Sequence, residues 1–467
     1  MKFFKLLIGA SLIVFLTTGC SITSESPEEL IKDKPLYNQN ESDLYKGIKK
    51  LLTKQTSLLQ PNNSKEAAKI NEVDLDNDGE KELVVFQKKE SQDDKKDEVG
   101  FIVLTKNPDG TYTNKEKAYS LQEGEEIQYA NFYDLNNDGK KEIVLLIKSE
   151  GKTNMYIYNF IDDEVKKVYI LDPTWLEDSK NLLDMKVKIG YIDGDDKLDI
   201  LMLHFNPKTN KAYASLANFD KGLKLVNYVE FDNIKSLNNS YITLGTISTE
   251  NKKGKTIEHK GIVLDMPILK NDNYITQILY LKDGKLKKAF KDDDKSIMKP
   301  YYIPVEDINN DKVIDIPIVN GSGNIYTSKT SATISWYRWN GKENLEDSSL
   351  LFTIQIYYNY QYKFSLLIPN ELVNKFYIEQ DYQEQSSDVL FKFYYYDILE
   401  TKPKELFTIA VVNKNIIDEN KKNVNQSSIT LGENNDYTFT LYINNLEQLK
   451  KLKINEEALK EYFSLIY

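Results

Sequence analysis

The chain is poor in the residues that build most reactive centres. Its 467 residues include one cysteine, Cys20, two histidines, His204 and His259, and one arginine, Arg338. One cysteine excludes an internal disulfide framework and a zinc site built on thiolates. The histidines stand 55 residues apart, which excludes motifs that set two metal-binding histidines on one helix. Basic excess is also missing. With 61 Lys+Arg against 72 Asp+Glu the net charge is −11, a poor match to phosphate backbones, so nucleic acid is not an expected partner. No phosphate-binding glycine loop, dinucleotide fingerprint or Ser/His/Asp set is found. Gly321-Ser322-Gly323 lacks the spacing of a nucleophile elbow and reads as a hairpin turn. Apolar residues are not lacking. At 40% hydrophobic, with 32 Tyr, the chain can build cores, and its length suits two or three domains.

The N-terminus begins Met1-Lys2-Phe3-Phe4-Lys5 and runs apolar from Leu6 to Leu16. A basic start and a short apolar run are the plan of a secretory signal. The run closes with Leu16-Thr17-Thr18-Gly19-Cys20, which resembles the lipobox of bacterial lipoproteins, with Thr17 where that family usually has Leu. The resemblance implies cleavage after residue 19 and acylation of Cys20, an anchor on the extracytoplasmic face of a cell membrane of the Gram-positive kind. It also leaves no free thiol for nucleophilic chemistry. Residues 20–63 then read as a polar tether followed by one helix, capped by Asn40 or Ser42 and carrying Leu44, Ile48, Leu51 and Leu52 on one face.

From 64 to 350 the pattern changes to short apolar runs separated by Asn, Asp, Gly and Lys turns, the signature of strands. An acidic segment recurs here. Its copies start at Asp74, Asp134, Tyr191 and Asp307, and their third positions, 76, 136, 193 and 309, are 60, 57 and 116 residues apart. The last gap is twice 58, which places a fifth, degenerate copy near Asn251, where Lys253 and Gly254 replace the acidic residues. Each period holds four short strands, and four-stranded units repeated radially are propeller blades. Residues 351–467 lack the acidic segment and read as a separate α+β domain with short C-terminal helices.

In each acidic loop, side-chain oxygens fall at positions 1, 3 and 5, and a carboxylate returns at position 9, just before an apolar strand. Alternate oxygens in a tight loop suit calcium, which takes roughly six to eight hard ligands. An EF-hand is excluded, because its twelfth position needs Glu and holds Val85, Leu145 and Ile318. The pattern resembles the FG-GAP/VCBS repeat of integrin-type propellers. That resemblance implies a mainly β fold, about five four-stranded blades followed by a small α+β domain, with structural calcium. It assigns as ligands Asp74, Asp76, Asp78 and Glu82 in loop one; Asp134, Asn136, Asp138 and Glu142 in loop two; and Asp307, Asn309, Asp311 and Asp315 in loop four. Loop three is the weaker set, with Tyr191 at its first position, leaving Asp193, Asp195 and Asp199. The residues alone are also compatible with Asx turns that cap strand ends without metal.

Two functions remain open from the sequence. One is a membrane-anchored, non-enzymatic scaffold that displays or binds a protein or glycan ligand. The other is an extracytoplasmic carbohydrate-active enzyme or other hydrolase, whose paired carboxylates would face one another in a central channel. The recurrent acidic residues are committed to turn loops, which favours the scaffold.

Overall fold

The computed structural model describes residues 46–91, 96–170, 182–192, 194–220, 222–270, 273–319, 331–383, 388–396, 402–414 and 428–466. The signal sequence, Cys20, the tether, the helix cap, Leu44, Asp193 and Gly321-Ser322-Gly323 lie outside the described residues.

The described residues fold mainly as antiparallel sheets that follow one another in chain order. Sheet one contains Thr56–Leu58, Ile70–Val73, Glu82–Lys89, Glu98–Lys106 and Tyr112–Glu123. Sheet two contains Glu126–Tyr133, Glu142–Ser149, Lys152–Ile161 and Glu164–Ile170. Sheet three contains Asp184–Gly190, Asp199–Asn206, Lys211–Phe219 and Leu223–Phe231. Sheet four contains Tyr241–Lys252, Lys255–Pro267, Tyr274–Lys282 and Lys285–Lys288, with Met298–Lys299 paired to its third strand. Sheet five contains Ile316–Val319, Ser331–Trp339, Leu350–Asn359 and Phe364–Leu367, and the late strand Phe463–Leu465 adds to its edge.

Burial follows position in the sheet. Second strands such as Asp199–Asn206 are buried along their whole length, because both faces meet a neighbouring layer. The first strand of sheet three alternates, with Met185, Val187 and Ile189 buried and Asp184, Lys186 and Lys188 half-exposed. Tyr112–Glu123, the last strand of sheet one, is largely open to solvent. Consecutive sheets share cores. Phe86 and Phe101 of sheet one pack with Leu145 and Tyr158 of sheet two. Val144 and Ile157 of sheet two pack with Val187 and Met202 of sheet three. Leu203 of sheet three, Leu264 of sheet four and Ile316 of sheet five lie in one cluster. The far face of sheet one, with Leu83, Val85, Ile102 and Leu104, is covered by Ile48, Leu51 and Leu52 at the helix that residues 46–51 form.

Loops one to three occupy equivalent places. Loop one joins Ile70–Val73 to Glu82–Lys89, and loops two and three join the first and second strands of sheets two and three. At the expected degenerate copy, the first two strands of sheet four meet in a tight hairpin at Lys253 (φ 52°) and Gly254 (φ 78°). Loop four precedes Ile316–Val319, flanked by a single bridge between Glu306 and Asp315.

The pairing of sheet five runs through residue 351. Leu350 lies opposite Trp339, and Phe364–Leu367 extends the same sheet. Pairing likewise starts before residue 64, at Thr56–Leu58. Beyond Leu367, sheet six contains Phe376–Gln383, Asp388–Tyr395, Lys404–Asn413, Ser428–Glu433 and Tyr437–Ile443. Two short helices, Leu446–Lys451 and Glu456–Glu461, follow, each capped by an Asn side chain. An aromatic core of Tyr357, Phe364, Phe391, Phe393 and Phe439 joins sheet six to sheet five.

The Trp336–Trp339 segment is split between faces by alternation and a bulge. Trp336 and Trp339 are buried in different clusters, and Arg338 is exposed. His204 lies within its strand and is buried, which drives its imidazole down to about 4, whereas His259 is exposed.

Candidate metal centre

The loops share a hydrogen-bond scheme that reads directly off their spacing. The position-nine carboxylate accepts from the backbone N–H seven residues earlier. Glu82 takes Leu75 at 2.9 Å, Glu142 takes Leu135 at 2.9 Å, Asp199 takes Ile192 at 3.0 Å and Asp315 takes Ile308 at 3.3 Å. All four carboxylates are at most 2% exposed. The residues that donate are apolar, and Leu75, Leu135 and Ile192 are buried. The position-five oxygen accepts from the N–H two residues on, as Asp78 does from Glu80, Asp138 from Lys140, Asp195 from Lys197 and Asp311 from Val313. The position-one carboxylate accepts from position six: Asp74 from Gly79, Asp134 from Gly139, Asp307 from Lys312. Side chains thus satisfy the turn's backbone donors, as the Asx-turn reading requires.

Two loop positions adopt left-handed backbone. The fourth holds Asn77, Asn137 and Asn310 at φ near 60°, and the sixth holds Gly79, Gly139 and Lys312 at φ of 91°, 89° and 71°. Gly139 suits its position in two ways, the left-handed backbone being one. A Cβ there would also lie 2.9 Å from Asn77 Nδ2 of loop one. Loops one and two are in direct contact, since Lys141 N–H donates to Leu75 O at 2.9 Å.

Against this common frame, loop one stands apart. Oxygens of Asp74, Asp76 and Asp78 all lie within 4.8 Å of one another. Asp74 Oδ1 is buried and has no hydrogen-bond partner. Burial pushes the Glu82 carboxyl up to about 7, and the nearby Asp76 and Asp78 add to the rise. Three acidic side chains thus converge, one of them with a buried oxygen unsatisfied, and such an arrangement fits a hard cation. The residues that would hold it are Asp74, Asp76, Asp78 and Glu82.

Loops two and four close on themselves. Asn136 Nδ2 donates to Asp138 Oδ2 at 2.9 Å, and Asn309 Nδ2 donates to Asp311 Oδ2 at 3.0 Å. The position-one carboxylates are also fuller: Asp134 and Asp307 each accept a second bond, from Asp138 and Asp311 N–H. In loop four Arg338 reaches Asp311 Oδ2 at 3.2 Å, so a protein cation stands at the acidic turn. Burial pushes Glu142 up to about 7 and raises Asp315 as well. Asp315 has a further tie, Thr353 Oγ1 donating at 2.8 Å. In loop three Asn218 donates to Asp199 at 2.6 Å.

In loops two and four the third and fifth positions are thus paired with each other, an arrangement that loop one does not share. The cause is the third position. An aspartate there leaves the oxygens to repel, whereas an asparagine supplies an N–H that pairs with the fifth position. That single difference is visible in the sequence. The Arg338–Asp311 pair, bridging 27 residues, is not.

Residues 74–145 match the model of the FG-GAP-like repeat. Over that stretch the chain is similar to an FG-GAP-like repeat. The matched stretch spans loop one, the rest of sheet one and loop two, and loops three and four repeat the same hydrogen bonds beyond it. No curated protein matches the chain in sequence. Among solved structures, the exotype rhamnogalacturonan lyase YesX is similar over 76% of this chain, at 11% identity and a TM-score of 0.28. The chain spans 65% of that protein's length.

Proposed function

We propose that this protein is a lipid-anchored, extracytoplasmic scaffold without catalytic activity. Its five FG-GAP-type sheets form propeller blades, and calcium in loop one staples the first of them. The observation that carries the reading is the loop-one cluster, three carboxylates within 4.8 Å and a buried oxygen without a partner. Calcium there is structural: it neutralises the turn and contributes no reaction chemistry. The carboxyls that burial raises in the loops, Glu82, Glu142 and Asp315, are tied to backbone N–H groups as turn locks, which supports a scaffold over an enzyme. Attachment through Cys20 rests on the lipobox-like sequence. Helix-covered sheet one and the sheet-six layer on sheet five support a fan of blades with covered ends.

Calorimetric titration of the mature chain with calcium tests the staple. The expected result is one site with a dissociation constant of about 10⁻⁴–10⁻³ M, lost in Asp74→Asn. No binding heat, together with a melting temperature that calcium and EDTA leave unchanged, would refute it. Detergent-phase partitioning of the cell-expressed protein tests the anchor: the native chain enters the detergent phase and Cys20→Ala stays in the aqueous phase.

A further inference from the structure

A cavity of about 400 Å³ lies at the end of the sheets opposite the repeat loops. Gln128, Asp184 and Tyr241, at or near the N-terminal ends of the first strands of sheets two, three and four, enter it. The segment 62–66 closes it from the side of sheet one. First strands are edge strands, whose backbone would otherwise lie open. Here the edge of sheet two is blocked: Asn63 both accepts from Ala130 N–H at 3.0 Å and donates to Ala130 O at 2.9 Å. On the side of sheet two the cavity therefore presents side chains and not a free strand edge.

The side chains have a specific chemistry. Glu66 and Asp184 supply two carboxylates, and Lys186 and Lys188 supply two ammonium groups. These charges cancel, so the cavity has no net sign with which to select an ion. Lys186 is already engaged, donating to Ser240 O at 2.8 Å. Gln128 adds an amide, held by Thr153 Oγ1 at 2.8 Å. Two tyrosines flank these groups, and both are fixed in place. Tyr241 stacks on Tyr302 with centroids 3.6 Å apart and planes 8° from parallel. Tyr129 is pinned through its hydroxyl, 2.6 Å from that of Tyr133.

Mixed donors and acceptors without net charge, beside preorganised aromatic rings, suit a ligand with many hydroxyls and apolar C–H faces. A volume near the lower end of the ~300–1,000 Å³ range of small-molecule pockets limits its size. We propose that this cavity binds a neutral carbohydrate of one or two rings. The proposal rests on the reading of the chain as a binding scaffold and deepens it by naming a ligand class. It is independent of cation binding at the opposite end.

The test is saturation-transfer NMR and calorimetry on the mature chain. Glucose, galactose, N-acetylglucosamine, cellobiose and chitobiose are the probes, and glycine, lysine and glutamate are the ionic comparators. At least one sugar should saturate with a dissociation constant between about 1 μM and 1 mM. Tyr241→Ala and Lys186→Met should each weaken it at least about tenfold, while Tyr382→Ala on sheet six should not. Melting temperatures establish that each variant is folded. If Tyr241→Ala is not, Gln128→Ala carries the same test. The proposal is overturned if no sugar saturates, if only the amino acids do, or if sugar binding is indifferent to the cavity variants. Titrations are run in calcium and in EDTA. Sugar binding lost while calcium binding persists overturns the cavity assignment alone, and the reverse outcome overturns the staple alone.

Discussion

Replacing Asp76 by Asn should convert loop one into the loop-two type, with effects of opposite sign in the absence and presence of calcium. Asp76 belongs to a trio whose oxygens lie within 4.8 Å of one another. Two unit charges at that distance repel by about 0.9 kcal/mol in a water-like dielectric, less once salt screens them. Asp76 takes part in two such pairs, so its neutralisation relieves about 1 kcal/mol. The new amide also gains a bond, because Asn136 and Asn309 donate from the same position to Asp138 and Asp311. In EDTA, Asp76→Asn should therefore be the more stable protein by about 1 kcal/mol. Calcium reverses the balance. At about 5 mM, a site of dissociation constant ~10⁻⁴–10⁻³ M stabilises the native chain by about 1–2 kcal/mol. With one charged ligand lost and the fifth position occupied by an amide, the variant should gain under about 0.3 kcal/mol. Urea midpoints measured with 5 mM calcium and with EDTA, on both proteins, read all four values. A variant that is weaker than the native chain in EDTA, or that shows the same calcium increment, would refute the reasoning.

Other positions give independent tests. Lys299 and Asp265 form an ion pair at 2.8 Å with both side chains at most 1% exposed, supported by Thr276 Oγ1 on the same carboxylate. Lys299→Met leaves that carboxylate buried without its partner and should cost about 3–5 kcal/mol by chemical denaturation, much of it recovered in the Asp265→Leu/Lys299→Met double variant. Lys312 holds φ 71° where loops one and two have glycine, and its N–H bond to Asp307 survives substitution. Lys312→Gly should raise stability by about 0.5–1 kcal/mol, seen as a higher melting temperature. His204 is held neutral, its folded value near 4 lying below the ordinary 6.5. Between these values the unfolded chain takes up a proton that the folded chain refuses, so His204's contribution is intact above pH ~6.5 and is lost as pH falls to ~4, about 3 kcal/mol in all. Glu82 and Glu142, raised to about 7, act with the opposite sign, favouring the folded state as pH falls from 7. The measurement is therefore the difference in pH profile between the native chain and His204→Met, which should lack the His204 component.

The parts of this molecule that could be read from its sequence are those fixed by local backbone chemistry. A loop with side-chain acceptors at the first, third and fifth positions must satisfy its own N–H groups, and the ninth-position carboxylate reaches back seven residues to do the same. The spacing near 58 residues therefore marks a turn at the start of each of the five sheets, including the worn copy that forms the Lys253-Gly254 hairpin. Element boundaries were less legible. The fifth sheet continues past residue 351 because Leu350–Asn359 pairs with Ser331–Trp339, a long-range choice that no local signal announces. The candidate site divides along the same line. Asp against Asn at the third position is local, and it separates the loop that converges acidic oxygens from the loops that pair them internally. Arg338 on Asp311 is not local, nor is the cavity where three edge strands meet, although the alternation of Asp184, Lys186 and Lys188 with Met185, Val187 and Ile189 already shows one polar and one buried face. The physical consequence is a division of labour along each first strand. Its far end is spent on a self-contained turn whose acidic groups serve the fold, and in sheets two, three and four its near end is where polar side chains from different sheets converge on one cavity.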